Sequence, residues 1–159
     1  MRYEVRRKDR QISREEAMTL LDAAEYAVLS LVGEDGVPYG IPVNLVRSGN
    51  VLIFHCALEG RKQDCLRHQP RVSVCAVGRI HILPGQFSTE YESVVVEGVA
   101  EIVEDENRKI DDLMMLVEKY DPQHLDVAPK YIEKSLSRTG IVEIHIESVT
   151  GKAKRVRSK

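Results

Sequence analysis

NVLIFHCALEGRKQDCLRHQPR, residues 50–71, decides how the rest of the chain is read. It predicts a buried strand over Val51–Cys56, a turn over Ala57–Gly60 and a helix opening on Arg61 and Lys62. Alternation along the strand puts Val51, Ile53 and His55 on one face and Leu52, Phe54 and Cys56 on the other. His55 therefore sits beside the turn. The first N–H groups of a helix have no intrahelical partner, and the helix dipole favours an anion there. Two cations at that end repel the dipole. A phosphate bound by both the N–H groups and the cations removes the conflict. On spacing alone the plainer reading, that Arg61 and Lys62 are solvated surface charges, is the favoured one.

Upstream, Pro38–Arg47 alternates as one strand, with Tyr39, Ile41, Val43 and Leu45 opposite Gly40, Pro42 and Asn44. Pro42 cannot donate to a ladder, which places this strand at an edge or a bulge. A face of Gly, Pro and Asn suits a ligand wall better than a core. Ser48-Gly49-Asn50 turns this strand back into the central stretch as a hairpin. Ala27–Val32 reads as a strand closed by the Asp35-Gly36 turn. Ser13 and Glu16 form a capping box, opening a helix expected to run to about Tyr26. Residues 1–12 read as a charged arm.

Downstream, Gln69-Pro70 stops the helix and Val72–Val77 is a strand. Residues 79–90 read as irregular, and Tyr91–Val103 as a long strand with a bend at Gly98. Asp105 caps a further helix, ended by Asp121-Pro122, and Pro129–Leu136 is a shorter one. Thr139–Ser148 is a last strand whose Glu143, His145 and Glu147 face reads as solvated, followed by a basic tail over residues 151–159. Many antiparallel strands with bends suggest a small closed barrel carrying helices outside, built as one domain of 159 residues.

A net charge of -2 gives no overall attraction to nucleic acid or to an anionic membrane. The basic tail lacks interleaved aromatics, so neither nucleic acid nor membrane is expected as a partner. No apolar run has the length of a membrane span, and no signal peptide is visible. Three cysteines without paired spacing fit a reducing cytoplasm, the expected location. Cys65 and His68 share a helix face but have no second ligand pair, so no metal site is expected.

Three runs, YAVLSLVGEDGVPYGIPVNLV, IFHCALEGRKQDCLRHQPRVSV and TEYESVVVEGVAEIVED, together resemble the flavin-binding split-barrel proteins related to pyridoxamine 5'-phosphate oxidase. Within these, the chain looks most like the branch of 5-nitroimidazole-resistance nitroreductases. The resemblance implies a mainly β fold, a small antiparallel split β-barrel of Greek-key type with peripheral α-helices. It implies a homodimer with FMN, or FAD, at the subunit interface, and a small-molecule electron acceptor. Carried over, Arg61 and Lys62 hold the flavin phosphate. Pro42, Val43 and Asn44 line the ring, while His55, Cys56 and Ala57 follow the ribityl chain or ring, with His55 at the reactive side as the catalytic candidate. Tyr91, Glu92 and Ser93 are further cofactor-binding candidates, contributed by the other subunit. Cys56 has no evident base partner and is not expected to act as a nucleophile. Related split barrels also bind haem or a deazaflavin, and a non-catalytic flavin carrier is the rival reading.

Overall fold

The computed structural model describes residues 4–155. Eight strands form one antiparallel sheet: β1 Gln11–Ile12, β2 Ala27–Val32, β3 Pro38–Val43, β4 Val46–Ser48, β5 Val51–Ala57, β6 Arg71–Leu83, β7 Ser88–Val103 and β8 Thr139–Lys154. The helices are α1 Arg14–Ala23, α2 Arg61–His68, α3 Glu106–Tyr120 and α4 Ala128–Ser135. Along the sheet the order is β3-β2-β6-β7-β8-β5-β4, and β1 joins the far end of β8.

The sheet does not close, which corrects the closed barrel expected from the strand pattern. Its two margins are β3 and β4, yet only Asn44 and Leu45 separate them in the chain. Val43 and Val46 are three residues apart and so can lie at most about 11 Å from each other. The sheet must curl until its margins meet at this corner, unpaired: a split barrel. The expected single strand over Pro38–Arg47 is therefore two. The Leu45 backbone is diverted from the ladder to the end of α3, where its N–H donates to the Tyr120 hydroxyl at 2.9 Å. Its carbonyl accepts from Lys119 Nζ at 2.7 Å and from Tyr120 at 2.8 Å.

The barrel interior holds Leu29, Leu52, Phe54, Val74, Val94, Val96, Val142 and Ile144, all inaccessible to solvent. A smaller cluster of Ile53, Val103, Leu116 and Ile141 lies beneath α3. Both faces of β5 are thus buried up to Phe54, and His55 is the first residue beyond that cover.

Local signals explain the elements. Ser13 caps α1 reciprocally with Glu16, and Asp105 caps α3 through the Arg108 N–H at 2.8 Å. Helix α1 ends at Ala23, short of Tyr26. The irregular segment expected at residues 79–90 is mostly strand: β6 and β7 continue as a hairpin to Leu83 and Ser88. Likewise β8 extends past Ser148, so residues 151–154 belong to the sheet and not to a tail. The N-terminal arm is docked, with Gln11 opposite Lys152 and Ile12 opposite Gly151. Residues 1–3 of the arm and 156–159 of the tail lie outside the described residues.

Candidate functional site

The turn after β5 delivers α2 through Gly60, whose φ of 113° is a conformation that favours glycine. Gly60 has no side chain to cap the helix, so the first N–H groups of α2 face outward without a cap. Arg61 and Lys62 follow and diverge. The Arg61 guanidinium lies 4.2 Å from the Tyr39 ring centroid, and Lys62 Nζ lies 5.4 Å from that of Phe54. Among the described residues neither cation has a carboxylate partner.

Beside this helix start, Asn44, His55, Cys56 and Ala57 line a cavity of about 560 Å³. Its far wall comes from α3 and α4: Leu113, Leu116, Tyr120, Tyr131 and Ile132, with Arg138 at the end of the following turn. Burial lowers the His55 pKa, and the nearby positive Lys62 lowers it further. The neutral imidazole is favoured, with one ring nitrogen free to accept and the other to donate. Burial pushes the Cys56 thiol up, against the opposing pull of Lys62 and of the Gln63 hydrogen bond. That disfavours a thiolate.

Four of the predicted site residues share this cavity; Lys62 is near enough to His55 to act on its charge, while Arg61 lines a separate cleft with Glu34, Asp35 and Asp64. Pro42 is exposed on the edge strand beside it, whereas the Val43 side chain is part of the barrel core. Only the Val43 backbone can face a ligand. Asn44 is tied down, its Nδ2 donating to the Glu25 carbonyl at 2.8 Å. Tyr91, Glu92 and Ser93 are elsewhere. His55 pairs with Ile141, which pairs with Val103; Tyr91 is twelve residues up β7 from Val103, roughly 40 Å along the strand. There the Tyr91 hydroxyl accepts from Arg10 at 3.4 Å, and Glu92 is bonded to Arg155 at 2.8 Å.

Sequence reasoning missed Gln63. It is only 1% exposed, and its Nε2 donates to Cys56 Sγ and to the Ala57 carbonyl, both at 3.2 Å. Gly140, opposite Cys56, leaves room for it. Gln63 thereby fixes the strand end that carries His55 to the helix that carries Arg61 and Lys62. The cavity wall from α3 and α4 was missed too.

The solvated face expected on β8 holds for His145 and Glu147, which are exposed, and fails for Glu143. Glu143 is buried, with its Oε2 2.8 Å from Arg108, which also binds Glu101 at 3.0 Å. His145 bonds to Glu101 at 3.1 Å. Glu101, Glu143 and His145 have ligand atoms close enough for one cation, but Arg108 already bridges the two carboxylates. Behind them Asp112 is 4% exposed, with one buried oxygen lacking a hydrogen-bond partner. Burial, then the negative Glu143, pushes its pKa up to about 6. The folded state thus holds this proton more tightly than the unfolded chain. The stabilisation is complete below the ordinary Asp pKa of 3.8 and is lost as pH rises through about 6. Wild type should lose about 1–2 kcal/mol relative to Asp112→Asn between pH 4.5 and 7.5, allowing for solvent screening. Urea unfolding of both proteins at the two pH values checks this; parallel pH dependence would refute it.

An open, curled antiparallel sheet whose margins meet unpaired, with helices outside, defines a split-barrel protein. The chain belongs to the pyridoxamine 5'-phosphate oxidase family, whose model matches residues 13–153. Among solved structures, a conserved hypothetical protein from Mycobacterium tuberculosis superposes with a TM-score of 0.82 at 19% identity, over 98% of this chain and 97% of that one. A candidate 5-nitroimidazole antibiotic resistance protein from Bacteroides thetaiotaomicron gives 0.74 at 19% identity, over 90% and 86%. A FAD-binding protein from Mesorhizobium loti gives 0.63 at 26% identity, over 92% and 98%. No curated protein matches the chain.

Proposed function

We propose that the protein is a flavin-dependent oxidoreductase that binds FMN, or FAD, and passes electrons to a small electrophile such as a nitroaromatic compound. The observation that carries this is the start of α2: an uncapped helix end with two cations lacking acidic partners, next to His55, Cys56 and Ala57. That donor set fits a phosphate. The similar FAD-binding protein supports a flavin in this family.

In this reading Arg61, Lys62 and the first N–H groups of α2 bind the phosphate. The backbone of Pro42, Val43 and Asn44 supports one side of the ring system. A flavin supplies hydride and single-electron transfer; the protein supplies position and electrostatics. Neutral His55 donates a hydrogen bond that orients the acceptor and stabilises the charge it gains. Tyr91, Glu92 and Ser93 are too far along β7 to reach the same ligand within one chain, so a second copy brings them. Exposed Val28, Val77, Ile80 and Ile82 on β2 and β6 give such a copy an apolar face. No helix among the described residues is long and apolar enough to cross a membrane.

The test is the visible spectrum of the purified protein, with release and identification of the chromophore, followed by donor and acceptor assays of wild type and His55→Gln. A flavin spectrum is expected. With flavin content unchanged, acceptor reduction should fall about 10–100-fold in the variant. A Soret band would move the cofactor to haem. Bound flavin that no nicotinamide donor reduces would leave a flavin carrier.

A further inference from the structure

The cavity beside His55 has one chemical asymmetry that flavin binding at α2 does not use. Its walls are apolar, from Leu113, Leu116, Val117 and Ile132, and aromatic, from Tyr120 and Tyr131. The Tyr120 hydroxyl is committed to Leu45, and the Ser135 hydroxyl donates to the carbonyls of Tyr131 and Ile132. Arg138 is different. It lines the cavity, and among the described residues its guanidinium has no hydrogen bond, carboxylate or ring partner. No Asp or Glu lines the cavity, and His55 favours its neutral form, so Arg138 brings the cavity's formal charge. An apolar slot with one unpaired guanidinium recognises a molecule with a flat apolar body and one acidic group.

We infer that the acceptor taken up by this cavity is an aromatic acid, and that Arg138 selects it by pairing with its carboxylate. The inference rests on reading the cavity as the acceptor side of the flavin site. Arg138 acts here in binding and selection, while His55 faces the reacting end. Arg138 is solvent-exposed, so a guanidinium–carboxylate pair there is worth about a two- to fivefold preference over a neutral isostere.

The probes are 4-nitrobenzoate and 4-nitrobenzamide, matched in shape and differing in charge. Their dissociation constants are measured by calorimetry on wild type, Arg138→Gln and Arg138→Lys, each with its flavin content set and recorded by absorbance. The expected result is about two- to fivefold tighter binding of the benzoate to wild type, loss of that preference in Arg138→Gln, and partial retention in Arg138→Lys. Affinity for the benzamide should be unchanged across the three. Equal binding of the two probes to wild type would overturn the inference, as would failure of both to bind or a preference that survives in Arg138→Gln. Flavin uptake is read separately, so a protein that takes up flavin but ignores the carboxylate sinks only the inference. One that takes up no flavin sinks the wider reading. Circular dichroism of each variant confirms that it is folded.

Discussion

Arg61→Ala/Lys62→Ala protein should bind FMN at least about 100-fold more weakly than wild type. Each charge-assisted hydrogen bond to a phosphate contributes about 1.5–3 kcal/mol, so removing two costs roughly 3–6 kcal/mol of binding. The fold should be spared. Arg61 is exposed, and Lys62 covers one edge of Phe54 without entering the barrel core. The two cations point to different rings, so each single variant should retain part of the affinity. Fluorescence titration with FMN gives the constants, and thermal unfolding without flavin gives the control. A double variant that binds FMN as tightly as wild type would return Arg61 and Lys62 to the status of solvated charges and remove the phosphate from α2.

The second large effect is on stability. At Gly98 the pairing of β7 with β8 shifts by one residue, and the strands approach so closely that an added Cβ would lie 2.4 Å from the His145 carbonyl oxygen and 2.9 Å from Ile144 Cγ2. Backbone on the neighbouring strand cannot rotate away as a side chain can. Gly98→Ala should therefore cost about 2–4 kcal/mol, read as a lower urea midpoint at constant slope. Gly40→Ala is the matched control. Its nearest contact would be Val28 Cγ1 at an ordinary 3.7 Å, and the cost there should stay under about 1 kcal/mol. Equal losses in the two variants would mean that β7 and β8 can separate at the bulge without penalty.

Much of the fold was legible where one face of an element is buried and the other is not. β2 alternates strictly between buried and exposed, and its predicted bounds match the structure. The start of α2 at Arg61 was legible from the turn over Ala57–Gly60 that precedes it, although the two cations run against the helix dipole. The misses share a physical cause. From Val77 to Ile82 every residue of β6 is exposed, so burial imposes no alternation and the strand leaves no period in the sequence. The end of β8, Gly-Lys-Ala-Lys, is held by pairing with β7 and β1, a long-range effect that no local pattern records. The break between β3 and β4 was masked because apolar alternation runs straight through it; what interrupts the ladder is Tyr120, seventy-five residues away. Gln63 and Glu143 read as surface residues by type. They are buried because a specific partner waits for each: the Cys56 thiol and Ala57 carbonyl for one, Arg108 for the other. The candidate site divides the same way. Its part on β5 and α2 is contiguous in sequence and was legible, while its roof from α3 and α4 exists only after folding.

The two unpaired margins of the sheet also limit how copies of this molecule can meet. β3 carries Pro38 and Pro42, which have no N–H to offer an incoming strand, and β4 is three residues long. Both rims are thereby poor templates for a further strand. The side of β6 is different: beyond Cys75 that strand pairs only with β7, and Val77, Ile80 and Ile82 stand exposed there.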